Sequence, residues 1–326
     1  MKASPSLDGQ RRIVTLTMNP ALDIMTSADA VRHTDKVRCD EARYDAGGGG
    51  INVARFARAL GASVTAVYPA GGPTGALVTS LIGEADVPVA RVIIGSPTRE
   101  SFTVNDRSTG KQYRFVLPGP HLTFPEQAMC LDKLRTAAAS AKFVVASGSL
   151  PPGVPPDFYQ RVANLCRDLG VSLILDTSGG GLTHVKSGVF LLKPSVRELR
   201  ECFASPLETE ADQLAAAHDL IDRGIAQAVV VSLGPGGALL ATSRESELFP
   251  AIPVHAISGV GAGDAMVAAI TVGLTHQWPL AKSVRYGIAA ATAKLLTPGT
   301  SACTRADVEK LFELAEEPSD ESAVLS

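Results

Sequence analysis

The chain has 326 residues, is 45% hydrophobic and 19% charged, carries a net charge of −3 and contains one Trp. That length suits one large α/β domain or two ordinary ones, and the near-balanced charge excludes global attraction to nucleic acid or to an anionic membrane. Five scattered cysteines without a C-x-x-C pair, and six histidines without an H-x-x-x-H pair, argue for reduced thiols and against a metal site built from those residues.

The polar N-terminus has no apolar core, and no run of about 18 apolar residues follows, so a soluble cytoplasmic protein is expected. Residues 13–18 form a β-branched run that predicts the first core strand. Asn19-Pro20 breaks it and leaves Asp23 just past its C-terminal end, the edge where open α/β sheets bind ligands. Residues 36–44 alternate in polarity and predict a solvated strand. Four glycines, 47–50, lead into a helix over 51–60. A core strand at 63–68 and a helix at 75–85 follow. Short strands at 101–104 and 112–117 flank a turn, and with 36–44 they predict a small separate sheet acting as a lid.

Beyond this point strands and helices alternate. Strands are expected at 143–146, 172–176, 189–192 and 228–232, and helices at 124–139, 156–169, 196–203 and 208–223. This rhythm predicts a doubly wound, mostly parallel sheet flanked by helices. Residues 238–241 and 247–249 read as an edge hairpin, and helices at 262–275 and 280–296 close the domain. No composition break divides the core, so residues 1–326 read as a single domain. Its lid segments lie near 20–46 and 92–118, and residues 313–326 form a frayed acidic tail.

The most informative segment is Gly259-Val260-Gly261-Ala262-Gly263-Asp264, placed directly before an apolar helix. Alternate glycines clear side chains from a turn, and the helix start adds N–H donors and a positive dipole end, a combination suited to phosphate. A carboxylate beside such a pocket repels phosphate unless it has a task, and deprotonating an attacking hydroxyl is the natural one. There is no G-x-x-x-x-G-K-[ST], and no G-x-G-x-x-G follows the first strand, so a P-loop is excluded and a nicotinamide oxidoreductase disfavoured.

Other segments carry two readings each. Gly47–Gly50 is either a ligand-touching turn or a flexible connection, with Asn52 offering both an amide and a carbonyl to sugar hydroxyls. Asp23 either accepts from vicinal hydroxyls or caps a turn. Arg99, Lys36 and Arg38 are phosphate ligands or solvated surface charges. Ser147-Gly148-Ser149 begins a Pro/Gly turn at the functional edge. Glu198 either binds a water of Mg²⁺ or complements a helix dipole. Ser232-Leu233-Gly234-Pro235-Gly236-Gly237 lets a nucleotide lie on the backbone or simply turns a hairpin.

Over residues 13–312 the chain resembles the ribokinase-like, or PfkB, carbohydrate kinases, and within them the 6-phosphofructokinase branch. Gly47–Asn52 and the segment ending at Asp264 carry the likeness, supported by Thr15-Leu16-Thr17-Met18-Asn19-Pro20-Ala21-Leu22-Asp23, Tyr113-Arg114-Phe115-Val116-Leu117-Pro118-Gly119 and S-G-S-L-P-P-G-V. The resemblance implies a ribokinase-like core with a β lid that often dimerises, ATP as donor, and the C1 hydroxyl of fructose 6-phosphate as acceptor. Fructose 1-phosphate and tagatose 6-phosphate are alternative acceptors, and a non-catalytic sugar-phosphate sensor is an alternative class.

It further implies Asp264 as base, with the N–H groups around Gly261, Ala262 and Gly263 stabilising the moving phosphoryl. Asp23, Gly48, Gly49, Gly50 and Asn52 would hold the sugar, and Arg99, Ser147 and Arg38 its phosphate. Lys36, Lys193, Ser195, Ser232, Gly234 and Gly237 would contact ATP, and Glu198 would hold Mg²⁺ through water. A monovalent cation such as K⁺ would sit among Ser258, Val260, Thr297, Gly299 and Ser301. Ser195 stands where the family usually has Asn, so weaker Mg²⁺ binding is expected.

Overall fold

Runs of Val, Ile, Leu and Ala bounded by Gly, Pro and Asp form strands buried on both faces. In the computed structural model, which describes residues 12–33, 36–297, 299 and 302–316, the chain begins with β1 (Ile13–Leu16), β2 (Ala21–Ala28), β3 (Arg43–Gly47), α1 (Gly49–Ala59), β4 (Val64–Ala70), α2 (Gly72–Glu84), β5 (Val89–Ile93), β6 (Arg99–Asp106), β7 (Gln112–Val116) and α3 (Phe124–Ala138). It continues with β8 (Phe143–Ser147), α4 (Phe158–Leu169), β9 (Ser172–Asp176), the short α5 (Gly180–Thr183), β10 (Val189–Leu192), α6 (Val196–Phe203), α7 (Glu210–Asp222), β11 (Ala226–Ser232), β12 (Ala238–Thr242), β13 (Ser246–Phe249), α8 (Ala262–Thr275), α9 (Leu280–Leu295) and α10 (Arg305–Glu316).

The main sheet has the order β13-β12-β11-β10-β9-β8-β1-β4-β5, parallel except for the antiparallel edge hairpin β12–β13. Side chains alternate across it, as the pleat requires. On β11, Ala228 and Val230 join the apolar cluster under α1, α8 and α9, while Val229 and Val231 join the one under α3, α4, α6 and α7. Each fully buried aliphatic side chain contributes about 1.5–3 kcal/mol of burial free energy.

The small sheet is present, with order β3-β2-β6-β7, but its composition corrects the expected one. Residues 36–42 form no strand: the ladder with β2 begins at Arg43, and before it, among the described residues, only the Asp40 N–H donates to the Ser27 carbonyl oxygen as a backbone bond to β2. The missing member is β2, which resumes immediately after the Asn19-Pro20 break and pairs parallel with β6 over its whole length. Proline stops the first strand without stopping extended structure, since its own fixed φ is compatible with extended backbone and it biases only the residue before it, toward the β region. β5 and α10 were also not anticipated. α10 carries residues 313–316, expected as tail, in its last turn; residues 317–326 lie outside the described ones. Among the described residues no helix is long and apolar enough to cross a membrane.

Candidate active site

Five strands of the main sheet end together: β1 at Leu16, β8 at Ser147, β9 at Asp176, β10 at Leu192 and β11 at Ser232. Successive connections leave β1 first toward β4 and later toward β8, which makes this edge the crevice where such sheets take ligands. The small sheet faces that edge across a cavity of about 350 Å³ lined by Asp23, Asn52, Arg99, Arg114, Ser147, Asp176, Glu198 and Asp264. A larger groove of about 520 Å³ lies along the α6–α7 connection and brings together only apolar, hydroxyl and acidic residues. Convergent charges of both signs, rather than volume, single out the first.

The glycine run is packed, not slack. A Cβ on Gly47 would stand 2.3 Å from Asp23 Oδ2, on Gly49 2.2 Å from Ser147 Oγ, and on Gly50 2.6 Å from the Leu16 carbonyl oxygen. Gly48 adopts φ +115°. These contacts let α1 start against the end of β1 and put Asn52 in the cavity wall. The Asn52 amide donates to Asp264 Oδ2 at 2.9 Å, while its Oδ1 is buried with no partner among the described residues.

Gly261, at φ +81°, caps α8, and Asp264 lies in the first turn of that helix. Burial, reinforced by the Asp176 carboxylate, pushes the Asp264 pKa up to about 7, against the pull of Asn52, Lys193 and Arg114. Lys193 Nζ lies 3.1 Å from Asp176 Oδ1, with the side chains 5% and 13% exposed. Burial alone would lower the Lys193 pKa, but Asp176, Glu198 and Asp264 hold it above the usual lysine value. A Cβ on Gly263 would be 3.6 Å from the same Nζ, so this ammonium flanks the start of α8. Positive charge and helix dipole therefore converge on one side of Asp264.

On the facing wall, burial raises the pKa of Asp23 while Arg114 and Arg99 oppose the rise. Arg99 donates to the carbonyl oxygens of Leu117 (3.0 Å) and Asn19 (3.1 Å), and its Nε is buried without a partner among the described residues. Those bonds fix the guanidinium plane. Ser195 caps α6: Glu198 Oε2 accepts from the Ser195 N–H and hydroxyl, both at 2.8 Å, and Ser195 Oγ accepts from the Glu198 N–H. Glu198 thus serves the helix start and still lines the cavity.

A model of the pfkB family carbohydrate kinases matches residues 16–307. The chain belongs to that family. An ATP-dependent 6-phosphofructokinase isozyme 2 of Mycobacterium tuberculosis is 66% identical over 313 residues, 96% of this chain and 92% of that protein. Phosphofructokinase-2 from Escherichia coli in complex with potassium matches with a TM-score of 0.90 at 38% identity, and its complex with fructose-6-phosphate with 0.88 at 36%. Each match covers 94% of this chain and 100% of the other. The architecture is the ribokinase-like α/β fold.

In this pfkB family chain the cavity brings together Asp23, Gly48, Gly49, Asn52, Arg99, Ser147, Glu198 and Asp264. Gly50 packs behind them against β1. Ser232 pairs with Ser195, and its N–H donates to the Pro194 carbonyl. Ser195 therefore follows β10, Ser232 ends β11, and Gly234 and Gly237 follow it; none of the four is in the cavity lining. Gly237 is required for packing: at φ +93° its Cβ would stand 2.0 Å from the Phe249 carbonyl oxygen. Lys36 and Arg38 are exposed and do not line the cavity. Ser301 lies outside the described residues.

Sequence reasoning missed Ser101, Arg114, Asp176, Thr177 and Ser178 in the lining. A carboxylate ending the buried run of β9 was the available signal for Asp176, by the rule applied to Asp23. Arg114 needed the pairing of β6 with β7, which sets Ser101 opposite Val116 and Thr103 opposite Arg114.

Proposed function

We propose that the chain is an ATP-dependent 6-phosphofructokinase, transferring the γ-phosphoryl group of ATP to the C1 hydroxyl of fructose 6-phosphate to give fructose 1,6-bisphosphate, a glycolytic step. The observation that carries this reading is Asp264: a carboxylate with a pKa near 7, bonded to Asn52, at the start of a glycine-capped helix. Asp264 accepts the hydroxyl proton, the oxygen attacks the terminal phosphorus, and ADP departs. The N–H groups of Gly261, Ala262 and Gly263 and the Lys193 ammonium meet the negative charge spread over the moving phosphoryl. Asp23, Gly48, Gly49 and the unpartnered Asn52 Oδ1 take sugar hydroxyls, with Gly50 shaping their approach. Arg99, Arg114 and Ser147 take the existing phosphate.

ATP lies along the ends of β10 and β11, on Ser195, Ser232, Gly234 and Gly237. The donor set beside Lys193 fits Mg²⁺ held through water, since Glu198 has one oxygen, Oε1, not used by Ser195. Held there by Glu198 through water, Mg²⁺ would supply charge neutralisation at the phosphates.

The small sheet acts as lid and as dimer surface. Its cross-strand row Tyr44, Ile24, Phe102 and Phe115 points away from the cavity-lining row Asp23 and Ser101, and Tyr44, Phe102 and Phe115 are exposed. A second copy of the chain covers this apolar face. The free thiols of all five cysteines suit the cytoplasm.

A panel of fructose 6-phosphate, fructose 1-phosphate and tagatose 6-phosphate with ATP and Mg²⁺ tests the reading. The highest kcat/KM is expected with fructose 6-phosphate. A preference for another sugar would move the acceptor, and binding without turnover would make the protein a sensor.

A further inference from the structure

A buried ammonium lies under the phosphate turn. Lys294, in the last turn of α9, is 0% exposed. Its Nζ donates to Thr297 Oγ1 at 2.8 Å and to the Thr297 carbonyl oxygen at 3.3 Å. Among the described residues it forms no ion pair with a carboxylate. Its stem runs beneath the turn: a Cβ on Gly261 would stand 3.5 Å from Lys294 Cε and 3.7 Å from the Phe56 ring.

The segment before the turn crosses the same place. The N–H groups of Ile257 and Ser258 both donate to the Leu295 carbonyl oxygen, and the Val260 N–H donates to Ser258 Oγ. Met25 presses on Gly299 and shares a small recess with Val260. The described residues expected to surround a monovalent cation, Ser258, Val260, Thr297 and Gly299, therefore gather at the end of α9. One of them, Thr297, already gives both its oxygens to a lysine head group.

A buried ammonium is tolerated only where oxygens replace its water. Carbonyl and hydroxyl oxygens are also what a K⁺ ion takes in place of its hydration shell. Two monovalent cations sharing these oxygens would repel each other at short range. The donor set does not fit a free cation alongside Lys294.

We propose that the Lys294 ammonium is a tethered replacement for that cation, which holds the 258–261 segment in place and makes this enzyme independent of K⁺. What the charge contributes to turnover rests on the kinase reading; where the charge sits does not. A positioning role follows, because Lys294 reaches Gly261 through its stem and touches no reacting group.

The test compares the full chain in potassium chloride and in tetramethylammonium chloride of equal ionic strength, by thermal melting and by turnover of fructose 6-phosphate. The wild type is expected to melt and turn over alike in both salts. Lys294→Val is expected to lose at least tenfold in turnover in tetramethylammonium, to regain much of it with K⁺, and to gain a K⁺-dependent rise in Tm, since an ion bound only by the native state stabilises it. A wild-type Tm or turnover that rises specifically with K⁺ overturns the proposal, as does a Lys294→Val enzyme fully active in tetramethylammonium. Should the variant fail to fold, the wild-type comparison decides alone. Absence of turnover on every sugar phosphate would end the kinase reading yet leave the melting comparison legible.

Discussion

Replacing Asp264 with Asn removes the base and leaves its surroundings nearly intact, because the Asn oxygen still accepts from the Asn52 amide now 2.9 Å away. Two opposite effects are expected. Turnover should fall by about 10³-fold, the scale of a general base acting in the transition state. Stability should rise, since a carboxyl with a folded pKa of about 7 and a reference value of 3.8 is protonated in the native state while already ionised in the unfolded one. The cost of keeping it begins as pH rises past 3.8 and is complete above about 7. At about 1.36 kcal/mol per pKa unit this amounts to about 1.6 kcal/mol at pH 5 and about 4 kcal/mol at pH 8. Urea denaturation of both proteins at the two pH values reads the difference, and a coupled assay of ADP release reads turnover. Asp264→Asn should therefore gain about 2–3 kcal/mol over the wild type between pH 5 and pH 8. A stability gap that does not change with pH, or a loss of turnover below tenfold, would remove Asp264 from the role assigned to it. Wild-type kcat should climb with pH through about 7, because the ionised form is the active one.

Lys193→Met should destabilise by about 3–5 kcal/mol by stranding the Asp176 carboxylate, and the double variant with Asp176→Asn should recover most of the loss; equal losses in denaturant unfolding would show that the pair is not coupled. Ser195→Asn should lower the Mg²⁺ concentration giving half-maximal rate, as the longer side chain reaches further from the start of α6, and an unchanged titration refutes this. Phe115→Asp, on the outward face of the small sheet, should reduce the assembly to monomers in analytical ultracentrifugation. An unchanged sedimentation coefficient would place the interface elsewhere.

Much of the site was legible in the sequence because its signals are local. Glycines that clear a turn, an apolar run behind them and a carboxylate beside them occupy only a few consecutive residues. The same holds for the parallel strands, whose apolar runs need no knowledge of their neighbours. β2 was not legible because Asn19-Pro20 is a local stop signal, whereas β2 is stabilised by β6, whose residues lie 78 positions further along the chain at Ala21–Arg99. Glu198 shows a different limit. The two tasks proposed for it were set as rivals, yet one carboxylate serves the cap through Oε2 and still lines the cavity.

The sequence by itself determined the doubly wound sheet, the two glycine-rich turns and the carboxylate that follows the second of them, since each depends on side-chain type and spacing within one element. Tertiary structure decided that Asn52 and Asp264, 212 residues apart, share a hydrogen bond, that Asp176 and Arg114 join them, and that the buried lysine of α9 lies against the turn. A pKa near 7 belongs to this second group. It arises from exclusion of water and from a second carboxylate, and both come only from segments that folding brings together.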